Sequence, residues 1–388
     1  LIIKTHACID ELTAAAWNQL NTSGYPFMRH EYLAALECHR CAHRQTGWDP
    51  CHLSLQASGQ LLAVMPLYRK AHSFGEFVFD FSWANAYDRH GLAYYPKLVN
   101  AIPFTPVPGP RILCADHKTL AHAGLSVTQA QQLLITQAAE LAQAQQLSSI
   151  HRLYVDDANE PAPEHGYLLR KGCQFQWRNR NYIDFNDFLA SFSSAKRKKA
   201  RRERQKVQEA GIRIELRRGQ ELDADSWRQI FPLYASTFLA HGHAPYMNQA
   251  FFEEIARTMG EQMLLVLAYH GSSLIACAIT FQDDHALYGR YWGARADYDS
   301  LHFELCYYQG IAFCIEHQLS LFDPGTQGEH KLARGFEPTS VWSQHWIADR
   351  RFRRAIAEFL MQENAWVDAY MAQMASHSPY KQIDEAAP

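Results

Sequence analysis

Two stretches of the chain share one pattern of apolar and polar positions. Residues 51 to 69, CHLSLQASGQLLAVMPLYR, read as a strand, an Ala-Ser-Gly-Gln turn and a second strand, with apolar residues bunched on both sides of the turn. Residues 263 to 281, MLLVLAYHGSSLIACAITF, repeat that order around His270-Gly271-Ser272-Ser273, 212 residues further on. Each hairpin follows a helical pattern and precedes an aromatic stretch, Phe77 to Trp83 and Ala286 to Trp292, expected as a further strand. The pattern predicts two copies of one α/β unit. Two glycine-centred hairpins in an unrelated α/β protein would read the same way, so the repeat needs support from elsewhere.

Helical spacing covers Glu31 to Cys41, Gln129 to Gln146 behind the capping residues Ser126 and Thr128, Ala250 to Met259, and Phe303 to Gln318. Ser193 to Ala210 is a further helix, closed by Gly211. Asp349 to Met374 is a long final helix with Phe352, Ile356, Phe359, Leu360 and Tyr370 on or near one face. Short strands are expected at Asn181 to Phe185, Ile212 to Leu216 and Leu319 to Phe322. The prolines of IPFTPVPGP, Ile102 to Pro110, fit neither a helix interior nor a central strand, so this stretch is a connection. The expected organisation is α/β (α+β): an N-terminal domain over 1–185 and a C-terminal domain over 186–388, each a mixed, mostly antiparallel sheet flanked by helices.

Composition narrows the class. A chain of 388 residues suggests two or three folded units, and 47% hydrophobic with 20% charged residues excludes wholesale disorder. Lysine plus arginine at 37 against 40 acids gives a net charge of −3, so attraction for a polyanion must come from local clustering. No apolar run approaches the roughly eighteen residues of a spanning helix, and Met263 to Ala268 and Leu274 to Ile279 are short enough to be buried strands. LIIKTHACID lacks the basic and apolar regions of a secretory signal, so a cytoplasmic location is expected. The nine scattered cysteines read as reduced thiols.

The sharpest local signal is SSAKRKKARRERQKVQEAG, residues 193 to 211. From Lys196 to Lys206 it holds eight cations against one acid, Glu203. On a helix Arg197, Arg201 and Arg204 share one row, and Lys198, Arg202 and Lys206 another. Like charges at that spacing repel, so the helix is either a solvated face or a site for phosphate, diphosphate or nucleic-acid backbone, with Lys196, Arg197, Arg201 and Arg202 as the anion-binding candidates.

A second signal is LFDPGTQGEHKLARGF, residues 321 to 336, where a strand runs into a glycine-containing loop presenting Glu329, His330, Lys331 and Arg334. A third is the helix beginning HFELCYYQG, with His302 and Glu304 at its start, beside the aromatic strand carrying Arg290, Tyr291 and Trp292. Glu304 either complements the helix dipole or acts as a base or amine anchor. His241, His243 and Tyr246 belong to a polar, aromatic loop that either lines a pocket or sits on the surface. Cys38-x-x-Cys41 with His43 has ligand-like spacing, but no second pair closes a tetrahedral site, and no metal is expected.

Together these segments resemble the tandem GNAT-fold acyltransferases of the Fem peptidoglycan peptidyltransferase type. More closely, the whole chain is similar to the bacterial family labelled predicted N-acyltransferase or peptidoglycan biosynthesis/recognition protein, through PFMRHEYLAALE, FSWANAYDRHGLAYYPKLVNAIPFTPVPGPR and GEHKLARGFEPT. The resemblance implies two GNAT-like domains packed side by side, with an acceptor amine and an activated acyl donor meeting in a cleft. In Fem enzymes the donor is an aminoacyl-tRNA and the acceptor a peptidoglycan precursor, so the expected partners include tRNA or a nucleotide-diphosphate precursor. The donor is left open between aminoacyl-tRNA and acyl-CoA, and no tightly bound cofactor is expected. The chain departs from acetyl-CoA-binding GNAT domains in one respect. Their Arg/Gln-x-x-Gly-x-Gly/Ala pyrophosphate loop has no match here, the second copy reading RADYDSLHFEL, which argues against acetyl-CoA.

The reaction expected is amide formation by a neutral amine attacking an ester or thioester, which needs a proton acceptor within about 3 Å or one water away. Glu304 and His330 are the catalytic candidates, with Lys331 or Arg290 and backbone amides stabilising the oxyanion. Asn85, Tyr87 and Arg89 in WANAYDRHG, with His241, Tyr246, Arg290, Tyr291, Trp292, His302, Lys331 and Arg334, are the substrate-binding candidates. Two rivals stay open: a non-enzymatic RNA- or cell-wall-precursor-binding protein, and an acetyl-CoA-dependent acetyltransferase of small amines.

Overall fold

A computed structural model describes residues 1–156, 166–326 and 328–381. The chain forms two compact units, each assembled from three stretches: 1–172, 246–251 and 340–368 in the first, and 173–245, 252–339 and 369–388 in the second.

In the first unit, Ile2–His6, the hairpin His52–Ala57 and Gln60–Met65, and the short Leu113–Cys114 make a four-stranded antiparallel sheet. A second sheet runs through Trp48–Pro50, Tyr68–Lys70, Lys97–Asn100, Ser149–Val155 and the last part of Glu337–Ile347. Lys97–Asn100 and Ser149–Val155 pair in parallel, and their other partners run antiparallel. The helix Val127–Ala144 starts at a Ser126/Gln129 capping box and buries Ala130, Leu134, Ile135, Ala138 and Ala142. The proline-rich connection is buried, and its carbonyls are satisfied by Arg111, whose guanidinium donates to Val107 O (2.6 Å), Gly109 O (3.0 Å) and Pro110 O (3.2 Å).

The aromatic stretch expected as a strand over Phe77 to Trp83 is instead a loop leading into the helix Phe81–Arg89. Phe77 takes a left-handed φ of +61°, which ends any extended run. Trp83 and Tyr87, four residues apart, form a helical stripe packed with Ile356, Leu360 and Phe352. The loop is fixed from beneath, because the buried Lys97 ammonium donates to Glu76 (2.8 Å), to Ser73 (2.9 Å) and to Asp80 at the helix start. Tyr94 also donates to Asp80, at 2.6 Å.

In the second unit the sheet order is Ile212–Arg218, Met263–His270, Ser273–Gln282, Ala286–Ala294, Leu321–Asp323 and the Cys173–Arg178 end of Leu168–Arg178. The repeated hairpin and the aromatic strand after it form as expected. Ala286–Ala294 and Leu321–Asp323 are parallel, and every other neighbouring pair is antiparallel. The strand expected at Asn181 to Phe185 is absent. Asn181 is left-handed at φ +61°, and Asp184 caps the helix Phe185–Ala190 by accepting from Asp187 N at 2.7 Å. Buried Phe188, Phe192, Tyr308, Ile311, Phe322 and Phe336 are part of the core beneath this sheet.

Candidate functional site

The strand Ala286–Ala294 carries one extra residue against Ser273–Gln282: Ile279 faces Tyr291 and Thr280 faces Gly289, so Arg290 is a bulge. On its other side the strand pairs with Leu321–Asp323 only as far as Tyr288 and Asp323. Beyond that point the two parallel strands part, and a cavity of about 110 Å³ opens. Ala278 to Thr280, Gly289 to Trp292, His302, Cys306, Tyr307, Pro324, Thr326 and Lys331 line it. Where the strands separate they are in close contact, since a Cβ on Gly289 would stand 3.2 Å from Pro324 Cα.

Lys331 comes from a short turn of helix, Glu329–Arg334, and is 1% exposed. Its ammonium donates to Gly325 O (2.6 Å) and Thr326 O (3.2 Å), tying down the loop that follows the strand. Burial pushes its pKa down to about 8, against the pull of Asp323. Asp323 is itself buried and held by Gly325 N (2.9 Å) and Gln176 Nε2 (3.1 Å), and burial raises its carboxyl above the ordinary value. No carboxylate lines the cavity among the described residues, so Lys331 and Arg290 leave it electropositive.

His302 faces the cavity between the edges of Trp292 and Tyr307, with ring centroids 5.2 and 5.3 Å away. Burial, and then the nearby His330, Arg334 and Lys331, push its pKa down to about 4, so the ring is neutral at pH 7. Tyr307 holds His330 Nε2 at 2.7 Å, and burial raises its phenol. His302 and Tyr307 are five residues apart, which in an α-helix would turn them about 140° from each other. A π-helical turn over Glu304–Tyr308 widens the spiral and brings both to the same cavity.

Of the residues chosen from sequence, Arg290, Tyr291, Trp292, His302 and Lys331 line this cavity. His330 stands behind it through Tyr307 and is exposed; burial, Arg334 and Lys331 hold it below the usual histidine value. Gly328 makes room for that imidazole: its φ is +104°, and a Cβ there would fall 2.2 Å from the ring. Arg334 supports the same turn by donating to His330 O at 2.6 Å. Glu304 points elsewhere. Arg204 holds it from 3.0 Å and Gln309 donates to it at 2.7 Å, in a separate hollow with Val207, Gln208, Ile212 and Ile214.

Asn85 and Arg89 lie exposed on the helix Phe81–Arg89 of the first unit, whereas Tyr87 is core, 4.0 Å between ring centroids from Phe352. His241 is exposed at the end of the helix Ala224–Ala240, and Tyr246 stacks on Phe104 in the first unit at 4.7 Å. Among the described residues no cluster of three or more His, Cys, Asp or Glu is arranged to hold a metal ion. Sequence reasoning missed Thr280, Cys306, Tyr307 and Thr326. An aromatic five residues from His302 is no signal until the π-turn is known.

The basic helix, Ser194–Glu209, packs through Ala200, Glu203 and Val207. Two of its cations are internal struts: Arg204 on Glu304 and Lys206 on Asp299 (2.6 Å). Arg197, Lys198, Arg201 and Arg202 have no acidic partner within 4 Å among the described residues, and with Ser194 and Gln205 they bound an open surface hollow of about 550 Å³. Lys196 is half-buried on the same helix.

Comparison with solved structures identifies the fold. The chain superposes on the crystal structure of FemX with a TM-score of 0.51 and 12% identity, covering 92% of this chain and 100% of that one. It matches the C-terminal DUF2156 domain of a protein described as a lysylphosphatidylglycerol synthetase from Agrobacterium fabrum at TM-score 0.50 and 9% identity, over 88% and 95% of the two chains. A tandem GNAT protein from the clavulanic acid pathway aligns at TM-score 0.46 and 13% identity, over 90% and 98%. The architecture, mixed sheets flanked by helices, is the fold shared with FemX and with that DUF2156 domain. The FemAB-like family model, described as peptidoglycan biosynthesis/recognition, matches residues 8–382, and the chain belongs to that family. No curated protein matches the sequence. Among the described residues no helix is long and apolar enough to cross a membrane.

Proposed function

We propose that this protein is a Fem-type N-acyltransferase that forms an amide between an activated acyl group and an amine of a peptidoglycan precursor. The observation that carries the reading is the cavity at the parting of the parallel strands. It is walled by the cations Lys331 and Arg290 and by the imidazole of His302, with no carboxylate in its lining among the described residues. An acyl carbonyl seated there gains charge on oxygen as the amine attacks. Preorganised cations in a site sheltered from water stabilise that charge more than water does.

The donor we favour is an aminoacyl-tRNA. Four cations on one helix with no acidic partner within 4 Å among the described residues suit an extended polyanion. The segment Arg295 to Ser300 has two aspartates, Asp297 and Asp299, where a diphosphate-binding loop would offer glycine amides, which disfavours acyl-CoA.

The test is to incubate the protein with tRNA charged with radiolabelled amino acids, or with acetyl-CoA, and a soluble nucleotide-linked peptidoglycan precursor, and to look for a new amide by mass spectrometry. Amide formed from charged tRNA supports the reading, and amide formed only from acetyl-CoA moves the donor. A protein that binds the precursor and yields no product with either donor is a binding module. Reversing Arg197, Arg201 and Arg202 should weaken tRNA binding and flatten its salt dependence by about 0.7–0.9 in log–log slope per lost phosphate contact.

A further inference from the structure

We infer that His302 is the group that takes the proton from the attacking amine and returns it to the leaving group, an assignment that rests on the acyl-transfer reading above. Of the side chains lining the cavity, Arg290 is a permanent cation, and Cys306 is a thiol that burial keeps protonated. Tyr307 is a phenol already bonded to His330, and Lys331 is bonded to two carbonyls. Thr280, Thr326 and Tyr291 offer hydroxyls and Trp292 an indole N–H, none with basic character at neutral pH. That leaves His302 as the base among the described residues facing this space. Its ring makes aromatic edge contacts with Trp292, Phe303 and Tyr307 but no hydrogen bond to any described residue, so a nitrogen lone pair is open to a ligand.

The two candidates named from sequence are otherwise engaged. Glu304 sits in a different hollow under Arg204 and Gln309, and His330 is outside the lining, behind Tyr307. The charged and titratable groups that bear on His302 are Lys331 and Arg334 of the turn Glu329–Arg334, His330 with its ring centroid 6.0 Å away, and Arg290 on the bulged strand. All of these favour the neutral ring.

The step balances without any co-reactant. The amine nitrogen attacks the acyl carbon, the C–N bond forms, and the π pair moves to oxygen. The nitrogen, now acidic, passes one proton to the free ring nitrogen of His302. The oxyanion collapses, the C–O or C–S bond breaks, and the departing alkoxide or thiolate takes the proton from the imidazolium. An imidazolium made acidic by its surroundings is a poor proton trap and a good donor, which suits the second transfer.

The experiment has two arms. Histidine labelled with ¹⁵N in the wild-type protein, with His302 assigned by its loss in H302Q, should show a neutral ring at pH 7; an imidazolium there overturns the inference whatever the activity. With charged tRNA and the nucleotide-linked precursor, H302Q that melts like wild type should lose about 100-fold in kcat with KM within about twofold. Free imidazole should restore part of the turnover of H302A, which a purely structural role would not allow. Equal turnover by wild type and H302Q overturns the role of His302 and leaves the acyl-transfer reading standing. No product from wild type refutes that reading and the role of His302 with it.

Discussion

Glu203, the one acid between Lys196 and Lys206 of the basic helix, should matter more to stability than any of the eight cations around it. Glu203 accepts from Arg334 Nη2 at 2.7 Å, from Arg334 Nε at 3.2 Å and from Tyr308 Oη at 2.6 Å. The two charged side chains are 4% and 9% exposed. Glu203→Leu would leave a buried guanidinium without its partner and a phenol without its acceptor. Removing one member of a buried pair costs about 3–5 kcal/mol. At about 2–4 °C per kcal/mol for a unit of 150–250 residues, the melting transition should fall by roughly 6–20 °C. Glu203→Leu combined with Arg334→Leu removes both charges and should recover roughly half of that loss or more. Urea titrations of the wild type, the two single variants and the double variant, followed by tryptophan fluorescence and by far-UV circular dichroism, give the coupling energy. A loss under 1 kcal/mol for Glu203→Leu, or a double variant weaker than both singles by their sum, would refute the claim that this pair anchors the helix.

Other consequences are equally direct. Lys331 binds its proton less tightly folded, at about 8, than at the ordinary lysine value of 10.5, so the unfolded chain holds more protons between those values. Its contribution to unfolding free energy should therefore rise with pH across that window, and Lys331→Met should remove the rise in urea titrations at pH 8 and 10. Lys97→Met in the first unit strands two buried carboxylates, Glu76 and Asp80, and should cost about 3–5 kcal/mol by the same assay. Gly328→Ala puts a methyl group into the His330 ring at a left-handed φ; it should break the Tyr307–His330 hydrogen bond, detectable as a shifted His330 resonance, with the far-UV spectrum unchanged.

Much of this architecture was readable in the apolar pattern. The second hairpin, the aromatic strand after it and the helix capped by Ser126 formed where hydrophobic spacing put them, although Thr128, offered as a second cap, lies inside that helix. Two errors share a cause. Phe77 to Trp83 and Asn181 to Phe185 are aromatic or apolar enough for strands, but each contains a left-handed residue and leads into a helix that starts at an aspartate: Asp184 caps its helix, whereas Asp80 makes no cap hydrogen bond and is held by Tyr94 and Lys97. The pull on Asp80 comes from Lys97, seventeen residues away, which no local window contains. In the site, Arg290, Tyr291, Trp292, His302 and Lys331 were legible because they cluster around a strand end and a glycine loop. The direction of Glu304 was not legible, because a π-turn shifts the register of that helix and an arginine from the basic helix claims the carboxylate. The split of that helix into struts and free cations likewise depends on partners such as Asp299, far away in sequence.

On this reading the acyl carbonyl sits where the two parallel strands part. A crystal structure with a non-hydrolysable aminoacyl-adenosine amide, mimicking the charged end of tRNA, tests it directly. The aminoacyl carbonyl oxygen is expected within about 3 Å of Lys331 Nζ or the Arg290 guanidinium, with its carbon facing His302. Density for the aminoacyl group away from Gly289 to Trp292 and Lys331 would contradict the account.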